Sequence, residues 1–327
     1  MPFPVLPKQT INWAEHPWAG CYGSPEEEYR SLRNSWGLID FSALEWVRAE
    51  GPDAAGFLQG LLTMDVRKLG VGFRSPGWML DANGKILFGM DIYREKENAF
   101  LLQTAPGQAG PLRAQLDRYL IMEQVSLTLP DSILCFSLQG PECKRRVLPA
   151  PIAAYSIGEH DRSGSDGLDL AIPRDRAGEI GRDLLALGAE PVGLIALNTA
   201  RIEAFRPWLF VDVKIGTNPL IYGNRGIAFT KGCYVGQETV AKTVDRGHPP
   251  QLLALLRGAG TEVPPQPMAL SGEGKNLGEI TSAVWSPAYD CPLALARVKF
   301  NRAQPSTVLR DEQGTFWTIE KIVSYKG

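Results

Sequence analysis

Lys231-Gly232-Cys233-Tyr234-Val235-Gly236-Gln237-Glu238 is the stretch on which the reading of this chain turns. One thiol stands between a lysine and two glycines, and the pattern predicts a helix over residues 238–244. A cysteine close to a helix N-terminus feels the positive end of the helix dipole. Lys231, Lys242 and Arg246 add positive charge nearby. Both effects favour the thiolate. Gly232 and Gly236 let other groups approach the sulfur, and Gln237 and Glu238 set donor and acceptor atoms beside it. Against this, free cysteine is among the most buried residue types and usually only packs. Spacing alone leaves both readings open.

The region around the motif carries Gly216, Gly223, Gly226, Gly232, Gly236 and Gly247, which reads as loop with close backbone approaches. Beyond His248-Pro249-Pro250 the texture changes. Short apolar runs at 252–256, 268–270, 277–285, 293–300, 307–309 and 316–325 predict six strands and a small β-barrel. A boundary near residue 248 follows. It gives a barrel over 248–327 and a region over 1–247, read as two α+β subdomains of about 1–140 and 141–247. Upstream, Ser24-Pro25-Glu26-Glu27 has the form of a capping box, with Glu27 three residues after the cap. Pro52-Asp53 opens a helix with an apolar stripe of Ala54, Phe57, Leu58, Leu61 and Leu62. Asn83-Gly84 predicts a hairpin in which both turn residues take positive φ. Strands are expected over 100–103, 133–138, 152–157 and 168–172, and helices over 112–120, 174–187 and 194–204. Strands and helices mix without regular alternation, so the class is α+β.

Composition narrows the function. Thirty-four Lys and Arg balance 36 Asp and Glu, for a net charge of −2, which argues against coating a nucleic acid. No run approaches the ~18 apolar residues of a membrane span. Residues 1–7 lack the form of a signal peptide, so the expected compartment is the cytoplasm. The five cysteines (Cys21, Cys135, Cys143, Cys233, Cys291) are scattered and odd in number, which fits a reducing compartment. The three histidines show no metal-ligand spacing, and no metal site is predicted.

The motif at 231–238 resembles the signature of the YgfZ proteins, folate-binding relatives of the glycine-cleavage T protein. The likeness extends to Gly37-Leu38-Ile39-Asp40-Phe41-Ser42, Gly51-Pro52-Asp53-Ala54, Leu138-Gln139-Gly140-Pro141 and Leu277-Gly278-Glu279-Ile280-Thr281-Ser282. The resemblance implies α+β domains around a central channel for tetrahydrofolate, with a C-terminal barrel. It implies support for assembly or repair of iron–sulfur enzymes, tRNA-modifying ones included, with Cys233 as the working thiol and iron–sulfur client proteins as partners. Arg201-Ile202-Glu203-Ala204 matches the T-protein stretch whose acid binds the pterin, and so marks Glu203. A carboxylate suits the pterin because it accepts from an N–H and an exocyclic amine together. The competing reading of Glu203 is a helix-surface acid paired with Arg206. Arg225, Lys231 and Lys242 are the cations expected to guide the anionic folate tail, and Gly232, Tyr234, Gly236, Gln237 and Glu238 complete the expected binding set. Trp78, Trp208 and Phe229 are candidates to stack on folate rings.

Two departures from the T-protein pattern stand out. Phe88 and Gly89 occupy the place of its catalytic carboxylates, and Asp91 lies two or three residues further, a displacement of roughly 7 Å per two residues of strand. Ile221 replaces an acid upstream of the motif. The resemblance therefore favours the YgfZ-type role over the alternative, a folate-dependent aminomethyltransferase or demethylase. A binding module with an inert cysteine is the third reading.

Overall fold

The computed structural model describes residues 3–13, 15–143, 145–146, 148–153, 155–209, 211–272 and 274–326. By contacts the chain falls into two units. One holds residues 3–77 and 89–200, the other 78–88 and 201–326, so the stretch 201–247 belongs with the barrel.

In the first unit, β1 (Gln9–Trp13) and β2 (His16–Cys21) form a hairpin, followed by α1 (Pro25–Asn34), β3 (Gly37–Asp40), β4 (Glu45–Glu50) and α2 (Ala54–Leu61). Then come β5 (Arg74–Leu80), β6 (Ile86–Lys96), β7 (Ala99–Thr104), α3 (Ala109–Asp117), β8 (Ser126–Thr128) and β9 (Ile133–Gln139). The chain continues through α4 (Ala150–Ala153), β10 (Ser156–Glu159), β11 (Gly167–Pro173), α5 (Ala177–Ala186), β12 (Glu190–Pro191) and α6 (Leu194–Glu203), whose last three residues count with the second unit. Two five-stranded sheets result, in the orders β10-β11-β9-β3-β12 and β5-β6-β7-β4-β8. The expected strand at 152–157 is cut short, because residues 150–153 make a helical turn and the strand begins at Ser156; Ala154 lies outside the described residues.

The opening of α1 departs from the capping-box expectation. Glu27 is exposed, and Glu28 is the buried acid. Its Oε1 accepts from the Tyr22 and Gly23 N–H groups at 2.6 and 2.7 Å, and its Oε2 from Gly193 N–H at 2.8 Å. One helical side chain thus pins two distant loops by charge-assisted bonds.

In the second unit, residues 205–209 and 211–236 are loop, with one turn of 3-10 helix at Pro219–Tyr222. α7 (Gln237–Arg246) leads into β13 (Gln251–Gly258), β14 (Met268–Gly272), β15 (Lys275–Ser286), β16 (Cys291–Lys299), β17 (Val308–Asp311) and β18 (Phe316–Ile322). These close into a six-stranded barrel, β13-β16-β15-β14-β17-β18. Closure removes the free sheet edges. Alternate residues of β13 serve two cores. Leu252, Ala254 and Leu256 face the barrel interior with Trp317 and Leu270, while Leu253 and Leu255 pack outward on Trp78, Ile202, Leu220, Ile221 and Tyr234. The outward cluster seats the motif loop on the barrel wall. No helix among the described residues is long and apolar enough to cross a membrane.

Candidate functional site

The motif resolves into one presented atom and its supports. Tyr234 is buried, with the Lys231 ammonium 4.9 Å from its ring centroid. Lys231 is itself buried, not a solvated surface charge. The Gln237 side chain accepts from Tyr234 N–H at 3.2 Å, closing the turn into α7. Glu238 is exposed and pairs with Lys242 at 2.6 Å, and Lys242 holds its carboxyl below the ordinary range. These two residues brace the helix surface. The side chain of Arg246 lies outside the described residues.

The two glycines differ in kind. Gly232 is exposed, and a Cβ there would meet nothing within 4 Å. Gly236 has φ of 80°, and a Cβ there would come within 2.5 Å of the Asp81 carbonyl oxygen and 3.0 Å of Gly84 Cα. So Gly236 is required by contact with the Asn83-Gly84 hairpin and not by an approach to sulfur. In that hairpin Gly84 alone of the pair takes positive φ. Asp81 supplies the rest, accepting from Asn83 and Lys85 N–H groups at 2.9 and 2.8 Å. A three-residue loop with a left-handed glycine stands where the two-residue turn was expected. Cys233 is exposed at the crest of this assembly. Cys135, Cys143 and Cys21 are buried, and burial raises the thiols of Cys135 and Cys21.

Glu203 ends α6 and is half-buried. The helix closes with Arg206 N–H on the Arg201 carbonyl at 2.8 Å and Phe205 N–H on the Ile202 carbonyl at 2.9 Å. Phe205 takes the left-handed position usually given to glycine, with φ of 55°. Arg201, two residues before Glu203, is buried and pairs with buried Asp212 at 2.7 Å. Thr281 and Ser282 hydroxyls donate to Asp212 Oδ1 at 2.5 and 2.6 Å, and Trp208 N–H to Oδ2 at 2.8 Å. The Arg201 guanidinium also lies 5.5 Å from the Trp208 ring centroid. Two donors to Glu203 come from the β15–β16 turn. Ser286 Oγ donates to Oε1 at 2.5 Å, and Ala288 N–H to the same oxygen at 3.4 Å.

The first unit holds a second polar cluster, at the seam of its two sheets. Asp169 Oδ2 accepts from Tyr93 Oη at 2.5 Å and from Arg162 at 2.7 Å, and His160 Nδ1 lies 2.8 Å from the same oxygen. Arg74 pairs with Asp91 at 2.7 Å, with His160 Nε2 at 3.8 Å from the same acid. Burial alone would raise both acids, but Arg162 and His160 hold Asp169 well below its usual range, and Arg74, His160 and Arg162 hold Asp91 below it. Burial, with Arg162 and Arg74 adding, pushes His160 down to about 4. Asp91 is therefore a member of a locked ion network.

Residues 13–153 match the family model described as the GCVT N-terminal domain. The chain is 28% identical to an aminomethyltransferase of Streptomyces avermitilis, covering 88% of this chain and 84% of that one. It is 29% identical to an aminomethyltransferase of Methylococcus capsulatus, covering 85% and 82%. The crystal structure of the glycine cleavage system aminomethyltransferase T from Bartonella henselae matches with a TM-score of 0.84 at 22% identity, over 96% of this chain and 93% of that one. The fold is that of the glycine-cleavage T protein.

On the T-protein frame, the sequence expectations distribute unevenly. Trp78 and Ile221 are core residues of the second unit, with Trp78 6.2 Å from the Tyr222 ring; their places are set by packing. Phe229 and Arg225 are exposed, and Trp208 is half-buried. Phe88 and Gly89 bring no carboxylate to β6. The residues that sequence reasoning missed are Asp212, Thr281, Ser282 and Ser286. Thr281 and Ser282 lie in the T-protein-like stretch 277–282, so their signal was present without its role. Asp212 and Ser286 have no local signature, because their partners lie 11 and 83 residues away.

Proposed function

We propose that this protein binds tetrahydrofolate and acts in folate-dependent one-carbon transfer of the aminomethyltransferase type. One observation carries the reading: on a T-protein fold, the acid of the Arg-Ile-Glu-Ala stretch ends a helix anchored from below and is held by two donors from the barrel turn. Tetrahydrofolate is the cofactor. The donor set suits it. Glu203 would accept from the pterin N–H and amine, and Lys231 and Arg225 would supply positive charge for an anionic tail. When bound, tetrahydrofolate supplies an amine nitrogen that accepts a one-carbon unit. The chain's own part is to orient the pterin through Glu203 and to keep Cys233 at the surface.

A specific observation favours a second reading, a YgfZ-type role in supporting iron–sulfur enzymes. Phe88 and Gly89 stand where a T protein keeps its acids, Asp91 is engaged by Arg74, and the signature cysteine is exposed. A phenyl ring neither takes a proton nor stabilises charge. Cys233 would then act as an exchange or handoff thiol for client proteins.

Turnover decides between them. Purified protein is given tetrahydrofolate and an aminomethyl donor carried on a dihydrolipoyl thiol, and ammonia and methylenetetrahydrofolate are measured. Formation of both supports the transferase. Folate binding without turnover, together with loss of iron–sulfur enzyme activity in cells carrying only Cys233→Ala, supports the second reading. Absence of folate binding refutes both.

A further inference from the structure

We propose that Ser286 is a positioning residue for pterin recognition, fixing the Glu203 carboxylate in the orientation that receives the ring's paired donors; this rests on the folate reading above. A glutamate on the last turn of a helix has three rotatable bonds, and its carboxylate otherwise sweeps a wide arc. Two donors remove that freedom here. Ser286 is fully buried, so its hydroxyl is held by packing, and Oγ meets Glu203 Oε1 at 2.5 Å. Ala288 N–H reaches the same oxygen at 3.4 Å. Ser286 Oγ in turn accepts from Tyr289 N–H at 3.1 Å, which directs its proton toward Glu203. Both donors meet Oε1, and holding that oxygen sets the direction in which Oε2 points.

The base of the arrangement is equally fixed. Arg201 is tied to Asp212, which is tied to Thr281 and Ser282 on the same strand that ends in Ser286. One barrel strand therefore fixes both the helix end that carries Glu203 and the carboxylate itself. The T-protein-like stretch at 277–282 and the Arg-Ile-Glu-Ala stretch are two halves of one device.

The test is calorimetric titration of the whole protein with tetrahydrofolate and, separately, with p-aminobenzoylglutamate, which lacks the pterin. Ser286→Ala is expected to weaken tetrahydrofolate by about tenfold, the loss typical of a hydrogen bond to a charged group. It is expected to leave p-aminobenzoylglutamate unchanged, and Ser286→Thr restores most of the affinity. A purely structural role would weaken both ligands together. Equal tetrahydrofolate affinity in wild type and Ser286→Ala, with Glu203→Gln impaired, overturns the positioning role alone. Failure of the wild type to bind tetrahydrofolate overturns the folate reading beneath it. Should Ser286→Ala fail to fold, Ser286→Cys replaces the hydroxyl with a weaker donor; a tetrahydrofolate-selective loss supports the positioning role, and unchanged tetrahydrofolate affinity overturns it.

Discussion

Cys233 differs from its fellow thiols in access. Cys21, Cys135 and Cys143 are buried, and Cys291 is partly covered. Titration of the native protein with a coloured disulfide reagent should find one fast thiol, with all five released in denaturant. Cys233→Ala should abolish the fast phase; its persistence would assign the reactive sulfur elsewhere. Asp212 makes the opposite kind of demand. Both it and Arg201 are nearly sealed from water. Breaking such a pair leaves an uncompensated buried charge, at about 3–5 kcal/mol. Asp212→Ala should lower the urea midpoint accordingly, and a change near zero would mean that Arg201 finds water or another acceptor.

The loop that carries the cysteine and the hairpin beneath it form a joint whose chemistry is mostly backbone. Gly236→Ala meets both a left-handed φ and the Asp81 carbonyl, so it should cost more than the roughly 1–2 kcal/mol of the backbone conformation alone. Gly232→Ala should stay within about 0.5 kcal/mol, as an exposed position with open space around it. Equal effects in a chemical denaturation series would deny the joint. The two glycines look alike in sequence, and only the packing partner tells them apart. The barrel was legible because each strand is a short apolar run between turn residues. The hairpin was legible from Asn83-Gly84, but its turn type was not, since Asp81 supplies the bonds that lengthen it. The capping of α1 was misread because Glu28 binds Gly193, a partner 165 residues away.

Across the whole chain, acid should find the seam between the two sheets of the first unit. His160 is held near 4 against 6.5 in a free side chain, so the unfolded state takes up a proton that the folded state refuses. Stability should fall as pH drops below about 6.5 toward 4. Asp91 and Asp169 are depressed below their free value of 3.8, so their contribution is present above it and is lost as pH falls further. His160→Asn should flatten the first limb in urea midpoints measured from pH 7 to 4; an unchanged slope would remove His160 as its source. The central claim, however, is folate recognition by Glu203, and anaerobic calorimetry of tetrahydrofolate binding to wild type and Glu203→Gln addresses it most directly. Saturable one-to-one binding, weakened about tenfold or more by the amide, is the predicted result. No heat of binding in the wild type, or equal affinity in the two proteins, would contradict it.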